Sequence, residues 1–550
     1  MEGNSDTQVT RAMWVTLAAM TVAASMILVD QTAVPLATPN AVNDLGGSAH
    51  ESQWLLTANI LPLAAFMVLG GRLGDLFGLR RTFLAGAVLF GVATTLAATA
   101  QDMPWMIGAR VLQGTGAALM MPTSIAIVSS VFPGSRRGTA LGVVAGGSAS
   151  FAALGPVLGG LLTSIDWRLV FVLNLVLAVL AVVLTLRSTP DIQPDPDAPR
   201  RVDMPGAVLL ALALGALVFG LSQGPVEGWS DPGVLWPIAA GVVLLVAFVV
   251  VELRTSLPLV DFRLFRHLNF LAANISQLLA GMVELGLGYL LPFLLLLVVG
   301  VDPAVAGIAL IPATVPIVLA GPLAGRLYDR FGGRWPLVGG YLVLAASGLA
   351  LGLVAGEASA TALIPGLLLQ GIGLGVVLTV NDPTGLTAVG ADDQGAAAGM
   401  INTSEQLGGA IGIAVLLAVE LGVYRDQVYE RLADQGIRPT RAESELGKEF
   451  IFEAERVGLE RAAEQAQGSP VVKVALQDLV DAHVSGFSAA FYLTSVLALV
   501  AALLMFVLVR RRGRVLDTPV FGRRSRWIIG HAGLSPGLTR KSPEALDIDS

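Results

Sequence analysis

The chain has 550 residues, of which 54% are hydrophobic and only 14% are charged, and its mean hydropathy is +0.73. This composition excludes a soluble globular domain, because water could not solvate so apolar a surface. The formal net charge of −7 gives no indication of nucleic-acid binding, and the absence of cysteine excludes disulfides, thiol chemistry and cysteine-ligated metal.

Apolar runs of roughly 20 residues, long enough to cross about 30 Å of hydrocarbon, recur along the whole chain. Backbone groups in lipid must be hydrogen-bonded within their own segment, so we predict that each run is a helix. The sequence therefore predicts an all-α membrane protein with 14 transmembrane helices. They are placed near residues 12–34, 51–71, 81–100, 103–130, 138–163, 167–187, 204–222, 233–253, 267–299, 303–325, 335–356, 359–381, 396–420 and 485–509.

The arginines of the short loops predict the orientation of these spans. Lys and Arg accumulate on the cytoplasmic side of membrane proteins. Here arginines fall in alternate loops, whereas the opposite loops carry mainly Asp and Glu. The first apolar run lacks a small-residue cleavage site and precedes further spans, so we predict a retained helix. We expect a multi-pass protein of the cell (inner or plasma) membrane with both termini cytoplasmic.

One loop sequence occurs twice. The decapeptide GRLGDLFGLR at 71–80 returns as GRLYDRFGGR at 325–334, with seven of ten positions identical. Internal repeats in membrane proteins are typical of secondary transporters, in which two bundles rock about a site near the bilayer midplane. The copies follow spans 2 and 10, so two additional spans are predicted between two halves of six.

This pattern predicts four regions. Residues 1–187 form an N-terminal six-helix bundle, 188–256 a linker with two inserted helices, 257–510 a C-terminal six-helix bundle, and 511–550 a basic, disordered cytoplasmic tail. Within the third region, 421–484 is predicted to be an extracytoplasmic helical loop. We interpret that loop mainly as a structural spacer; the alternative is a segment that gates access or binds a partner.

Several motifs together resemble a known family. Besides the repeated loop, span 1 carries LVDQTAVPLATP, span 4 carries RVLQGTGAA, and span 5 carries GPVLGG. With these motifs the chain resembles the major facilitator superfamily and, within it, the fourteen-span drug:proton antiporters of the EmrB/QacA type. The resemblance implies a major facilitator fold of two six-helix bundles plus two inserted helices.

The repeated loops are the candidate conformational switch. Glycine permits a tight turn between helices, and Asp75 can accept bonds from helix N-terminal amides or pair with an arginine when the cytoplasmic side closes. The alternative is a solvated charged turn. The switch residues are Gly71, Asp75, Gly78, Arg80, Arg81, Gly325, Asp329, Arg330, Gly332 and Arg334.

Three ionisable residues inside spans are candidates for proton coupling, because such groups are costly in a bilayer and usually functional. Asp30 is flanked by apolar residues; a capping role near the outer face is the alternative. The resemblance implies proton coupling for Arg110, against snorkelling from the membrane border. Glu284 lies in the middle of its span, and few of its neighbours in the sequence are polar.

Prolines and glycines mark predicted bends. Gly155, Pro156, Gly159 and Gly160 form a candidate antiporter hinge, since glycine faces let helices pack and slide and proline bends them. In span 1, Pro35 stands where the resembled group has Asn, which predicts an earlier break of that helix.

Other polar residues within spans are candidates to line a substrate cavity, although each more commonly bonds a neighbouring helix. Glu405 lies where the resembled group often has arginine, and Asp382, which precedes a proline, is interpreted mainly as a helix terminator. The cavity candidates are Asn59, Gln113, Gln277, Asn381, Asn402 and Glu405.

These observations favour proton-coupled antiport that exports hydrophobic or cationic small molecules by alternating access. The alternative is export of a lipid or an endogenous secondary metabolite; a polytopic membrane enzyme or a receptor is more distant. Four histidines without a His/Asp cluster leave no visible metal or nucleophile chemistry, and no Walker-type loop indicates ATP drive. We expect no enzyme activity, no cofactor and no metal. The expected partners are a small-molecule substrate, protons and the lipid bilayer, without nucleic acid, and the protein is expected to be a monomer.

Overall fold

A computed structural model describes residues 10–47, 49–132, 134–191, 203–255, 258, 260, 262–357, 359–387, 389, 394–434 and 476–510. Over these residues the regular structure is helical, without a strand, and fourteen helical segments are long and apolar enough to cross a membrane. The predicted all-α membrane fold with 14 spans is therefore confirmed.

The first bundle contains six helices. They are α1 (Arg11–Asp44), α2 (Ala49–Phe77), α3 (Leu79–Ala98), α4 (Met103–Val131), α5 (Gly134–Thr163) and α6 (Arg168–Ser188). Helix α1 packs against α5 and α6, while α4 packs against both α2 and α3, and α3 also contacts α6. A hairpin of α7 (Met204–Glu227) and α8 (Pro232–Arg254) follows, and a 3-10 turn at Leu264–Arg266 leads to the next span.

The second bundle repeats this packing. It contains α9 (Leu268–Phe293, continued by a π-helical turn at Leu294–Val298), α10 (Pro303–Ala309), α11 (Ile311–Phe331), α12 (Arg334–Val354, followed by a 3-10 turn at Ala355–Glu357), α13 (Ile364–Leu386), α14 (Gln394–Asp434) and α15 (Leu476–Leu508). Helix α9 packs on α14 as α1 does on α5, and α13 packs on α11 and α12 as α4 does on α2 and α3. The inserted α7 contacts α2 and α14, one helix from each bundle.

Two expected interruptions are absent. Helix α1 runs through Pro35 and Pro39 to Asp44, so the predicted early break is wrong. Helix α13 continues past Asp382 and Pro383 to Leu386, so Asp382 does not terminate it. In both places the packed neighbouring helices hold a helical path that proline alone would disfavour.

The tenth span was predicted as one run over 303–325, and a single candidate span over Pro303–Phe331 agrees with it. Within this span the helix has a one-residue interruption at Leu310, because α10 ends at Ala309 and α11 begins at Ile311. Pro312 stands at the start of α11 and lacks the N–H that would continue the hydrogen-bond ladder.

Both ends of the predicted outer helical loop 421–484 are helical, because α14 extends to Asp434 and α15 begins at Leu476. Apolar residues continue the helical pattern into both ends, which explains the extension. The helical stretch expected between these points, and the tail 511–550, lie outside the described residues.

The largest apolar core joins the bundles at one end, and a smaller one links Ala65 of α2 to the inserted hairpin and to Phe270 and Ile401 of the second bundle. We call the end that carries the two repeated loops the repeat-loop end. In the half of the first bundle away from it, residues such as Leu36, Ile60 and Phe171 share one continuous core with the second bundle. In the repeat-loop half, residues such as Phe83 and Ile127 belong to a core whose described members all come from the first bundle. The bundles are thus packed together at the opposite end.

The turns of the two repeated loops depend on glycine. Gly78 and Gly332 have φ values of +96° and +71°, where a side chain is strained. We expect Gly78→Ala to reduce stability by about 1–3 kcal/mol, seen as a lower unfolding temperature in detergent. The control is Gly339→Ala, at a helical glycine with open space around it. Equal unfolding temperatures for the two variants would contradict the strained turn.

Candidate transport site

A buried carboxylate organises the first bundle. Asp30 on α1 is 0% exposed. Its Oδ2 accepts hydrogen bonds from Arg110 Nη1 and Asn59 Nδ2, both at 2.7 Å. Its Oδ1 accepts from Gln113 Nε2 at 3.0 Å and from Asn174 Nδ2 at 2.7 Å. The donors come from α2, α4 and α6, so Asp30 connects four helices, and the amides of Asn59 and Gln113 are directed to it.

Arg110 is buried with its partner. It is 2% exposed, donates from Nε to the carbonyl of Leu55 at 2.9 Å and from Nη1 to Gln113 Oε1 at 2.6 Å, and lies 6.0 Å from the ring centroid of Phe171. The snorkelling alternative for Arg110 is therefore wrong. The capping alternative for Asp30 is also wrong, because this residue lies in the interior of α1.

Asn174 is a member of this centre that we did not predict as a site residue. It is fully buried on α6 and donates to Asp30. The available signal was an amide in an otherwise apolar run, RLVFVLNLVLAVLAVVLTLRS. A buried amide requires a partner, but sequence alone does not show which helix supplies it.

Three of the predicted cavity residues form a polar chain in the second bundle. Gln277 on α9 donates to Glu405 Oε2 on α14. Asn381 on α13 donates to Gln277 Oε1 at 2.6 Å and to the carbonyl of Ala273 at 3.0 Å. Asn402, by contrast, donates to the carbonyl of Ala398 one turn earlier in its own helix. The structure thus brings Gln277, Asn381 and Glu405 together.

Acidic residues surround this chain. Glu284, Glu405 and Asp382 are each partly accessible although they lie within membrane-spanning helices. Glu405 lies close to Glu284 and to Asp382. Oε2 of Glu284 is buried without a hydrogen-bond partner among the described residues. Within the described part of the chain, none of the three carboxylates forms an ion pair, so the second bundle holds three acids without a basic partner there.

The candidate hinge lies where the two bundles meet. A Cβ on Gly160 would overlap the carbonyl oxygen of Pro303, and a Cβ on Gly307 would overlap that of Pro156. Helix α5 is continuous through Pro156, and its Gly159 packs on the backbone of α1. We call this α5–α10 contact the glycine seam; it closes the end opposite the repeated loops.

Gly155, in the same motif, packs against α1. A Cβ on Gly155 would overlap Oγ1 of Thr32, which donates to the carbonyl of Ala152 at 3.3 Å. The motif therefore serves close helix packing in this structure. Its movement as a hinge stays a prediction.

The first repeated loop is tied to its own bundle. Arg80 donates to the carbonyl of Leu186 at 2.9 Å, and Arg81 forms an ion pair of 3.1 Å with Asp191. Gly71 in α2 faces Pro122 of α4. The side chain of Asp75, for which we predicted a switch contact, lies outside the described part of the chain.

The second repeated loop has different contacts. Arg334 lies 4.2 Å from the ring centroid of Phe506, and Arg330 lies 5.2 Å from that of Phe331. Asp329 is exposed, and Gly325 has open space around its Cα. The two loops share the glycine turn but not the arginine partners.

Two six-helix bundles that contain separate polar centres and meet at a small-residue seam are typical of membrane transport proteins. The family model of the Major Facilitator Superfamily matches residues 19–413. The chain belongs to the Major Facilitator Superfamily.

Relatives and solved structures agree with that assignment. The chain is 31% identical over 498 residues to the tetracenomycin C resistance and export protein of Streptomyces glaucescens, covering 89% of this chain and 90% of the relative. It is 35% identical over 438 residues to the puromycin resistance protein pur8 of Streptomyces alboniger, covering 78% and 84%.

Among solved structures, a bacterial homolog to the human lysosomal transporter Spinster has a TM-score of 0.61 at 16% identity, covering 91% of this chain and 98% of that one. A D-xylose–proton symporter has a TM-score of 0.58 at 14% identity, covering 92% and 99%. These structures share the fold.

The glycine seam predicts the effect of a bulky side chain at Gly307. Because no native cysteine is present, Ala306→Cys, at a fully buried position of α10, reports whether the seam is open. We expect Gly307→Leu to raise the rate of maleimide labelling at this position about tenfold, a change of roughly 1.4 kcal/mol in the opening equilibrium.

The control is Gly108→Leu, on an exposed face of α4 with open space around the glycine. Labelling at the same rate in the Gly307→Leu and control backgrounds would show that the seam does not close this end.

Proposed function

We propose that the protein is a proton-coupled antiporter that exports hydrophobic, cationic small molecules by alternating access. The observation that carries the proposal is the contrast between the two bundles. In one, Asp30 and Arg110 form an ion pair; in the other, Glu405 lies close to Glu284 and Asp382, and all three acids are partly accessible without an ion pair among the described residues.

The first centre can respond to a proton. The ionised Asp30 accepts four hydrogen bonds. A protonated carboxyl group must itself donate one hydrogen and no longer attracts Arg110 as a charge. Loading a proton would therefore release contacts to α2, α4 and α6 at once, which suits a coupling role for Asp30 and Arg110.

The second centre can bind a cation. Uncompensated carboxylates in a low-dielectric region attract protons and organic cations alike. The partly accessible acids lie beside the amides of Gln277 and Asn381, and mostly apolar helices surround them. Such a wall with few polar groups suits an amphipathic cation. Competition between a proton and the substrate at Glu284 and Glu405 would produce exchange.

The driving force for transport depends on the net charge that each exchange moves across the membrane. One proton crossing about 100 mV supplies roughly 2.3 kcal/mol. Exchange of one proton for one monocation moves no net charge, so a monocation requires the pH gradient or a second proton. Asp30 and Glu284 together offer two protonation sites.

The orientation follows from the arginine loops. We infer that the repeat-loop end faces the cytoplasm of a cell membrane, with both termini on that side. The glycine seam is then on the extracytoplasmic side. With the seam closed, the protein is inward-facing, which is the state in which an exporter loads its substrate. We further propose that one chain suffices for transport, since each bundle contains its own polar centre.

Export of an endogenous secondary metabolite is the second candidate. The tetracenomycin C export protein and a cephamycin export protein of Amycolatopsis lactamdurans, which is 33% identical over 407 residues, are named for such compounds. A lipid is a further possible cargo for a cavity between apolar helices.

The test is reconstitution in liposomes that hold a pH-sensitive dye, with an imposed gradient of ethidium as the lipophilic cation. We expect proton movement that requires ethidium, and at least a tenfold smaller rate in Asp30→Asn and in Glu284→Gln, because each variant removes a protonation site. The control is Glu357→Gln, at an exposed acid beyond α12.

The outcomes separate the candidates. Wild-type rates of proton movement in both Asp30→Asn and Glu284→Gln would contradict the proposed coupling roles. No proton movement with ethidium or any other cation would discard cation antiport, and the same vesicles would then be supplied with lipids and with tetracenomycin C.

A further inference from the structure

A hydrogen bond between two glutamines crosses from one bundle to the other. Gln31 Nε2 on α1 donates to Gln406 Oε1 on α14 at 3.0 Å. Gln406 is 1% exposed and Gln31 is partly buried. We call this contact the glutamine bridge. Both side chains are neutral, so the bridge joins the bundles without placing a charge at their interface.

The bridge adjoins both polar centres. Gln31 follows Asp30, and Gln406 follows Glu405. Successive side chains on a helix point about 100° apart. Asp30 can therefore point into its own bundle while Gln31 faces the other one, and Glu405 can face Gln277 while Gln406 faces α1.

The same stretch of α1 also reaches the glycine seam. Asp30 binds Arg110, and Gln31 binds Gln406. Thr32 packs against Gly155 of α5, with its Oγ1 3.3 Å from the carbonyl oxygen of Ala152 and 3.0 Å from that of Leu28 in its own helix. Three consecutive residues thus contact the ionisable centre, the second bundle and the helix that forms the seam. A small displacement of this stretch would change all three contacts, because a close-packed interior transmits strain.

We propose that Gln31 and Gln406 are positioning residues that couple protonation of Asp30 to the carboxylate of Glu405. This inference rests on the proposed antiport function. When Asp30 takes up a proton and α1 shifts, Gln31 moves Gln406 and with it the adjoining Glu405. Substrate bound at Glu405 acts on Asp30 by the same contact, since thermodynamic coupling between two sites is reciprocal.

The test uses Gln31→Met, Gln406→Met and the double variant in ethidium liposomes. Methionine keeps the length of the side chain and removes the hydrogen bond. The quantities measured are protons moved per ethidium, proton leak without ethidium, and ethidium affinity. The matched control is Thr403→Val, which removes a hydroxyl bonded only to its own helix at the carbonyl of Gly399.

We expect ethidium affinity within twofold of wild type in every variant. Protons moved per ethidium should fall at least threefold in both single variants, and the leak should rise at least threefold. The double variant should match the single variants, because residues that act through one contact are not additive. A defect in folding alone would lower all rates in proportion and leave the proton-to-ethidium ratio at its wild-type value.

Other outcomes overturn the inference. A wild-type ratio in both single variants shows that the bridge does not couple the sites, and a large loss of ethidium affinity assigns the two amides to the binding site instead. If Gln406→Met does not fold, the ratio in Gln31→Met and the shorter Gln31→Asn decides. Absence of cation-linked proton movement in the wild type contradicts the proposed function itself, whereas a normal wild type with normal variants contradicts only the bridge.

Discussion

The buried ion pair of Asp30 and Arg110 is the interaction on which the first bundle depends. Two charges in a low-dielectric interior are stable only when they are paired and their remaining donors and acceptors are satisfied, and removing one partner typically costs about 3–5 kcal/mol. The pair therefore requires nearby amides, and α2, α4 and α6 supply them through Asn59, Gln113 and Asn174. That requirement fixes how these helices face α1, so the polar centre determines the packing around it.

The second bundle repeats the packing without repeating this charge pair. The sequence LQGTG around Gln113 has a counterpart, LQGIG, around Gln370. In both copies the glycines permit close approach of neighbouring helices, α2 and α3 in the first bundle and α11 and α12 in the second. The position that holds Arg110 in the first copy holds Leu367 in the second. Similar shape therefore does not bring the same charge pair: Asp30 is paired with Arg110, whereas Glu284 and Glu405 form no ion pair among the described residues.

Sequence alone predicted the features that are local. Apolar length gave the fourteen spans, and the repeated loop predicted glycine turns at Gly78 and Gly332 because the steric preference belongs to the residue itself. It failed where packing decides the outcome. Pro35 lies inside a continuous helix, and the polar partners of Asp30 come from helices distant in sequence. The glutamine bridge is of the same kind, since nothing in the sequence around residue 31 identifies residue 406 as its partner.

The different strengths of these contacts favour movement between the bundles over deformation within them. Within the first bundle, displacement of α4 would separate Arg110 from Asp30 and leave buried charges without partners. Between the bundles, the described contacts include a shared apolar core, backbone approaches at Gly160 and Gly307 and a neutral amide bond. Separation there exposes no unpaired charge, and water entering from one side can replace the amide contact. The placement of the charges therefore favours rigid-body rocking in the alternating access that we propose: ion pairing stabilises the first bundle, and an interface without an ion pair lets the two bundles part.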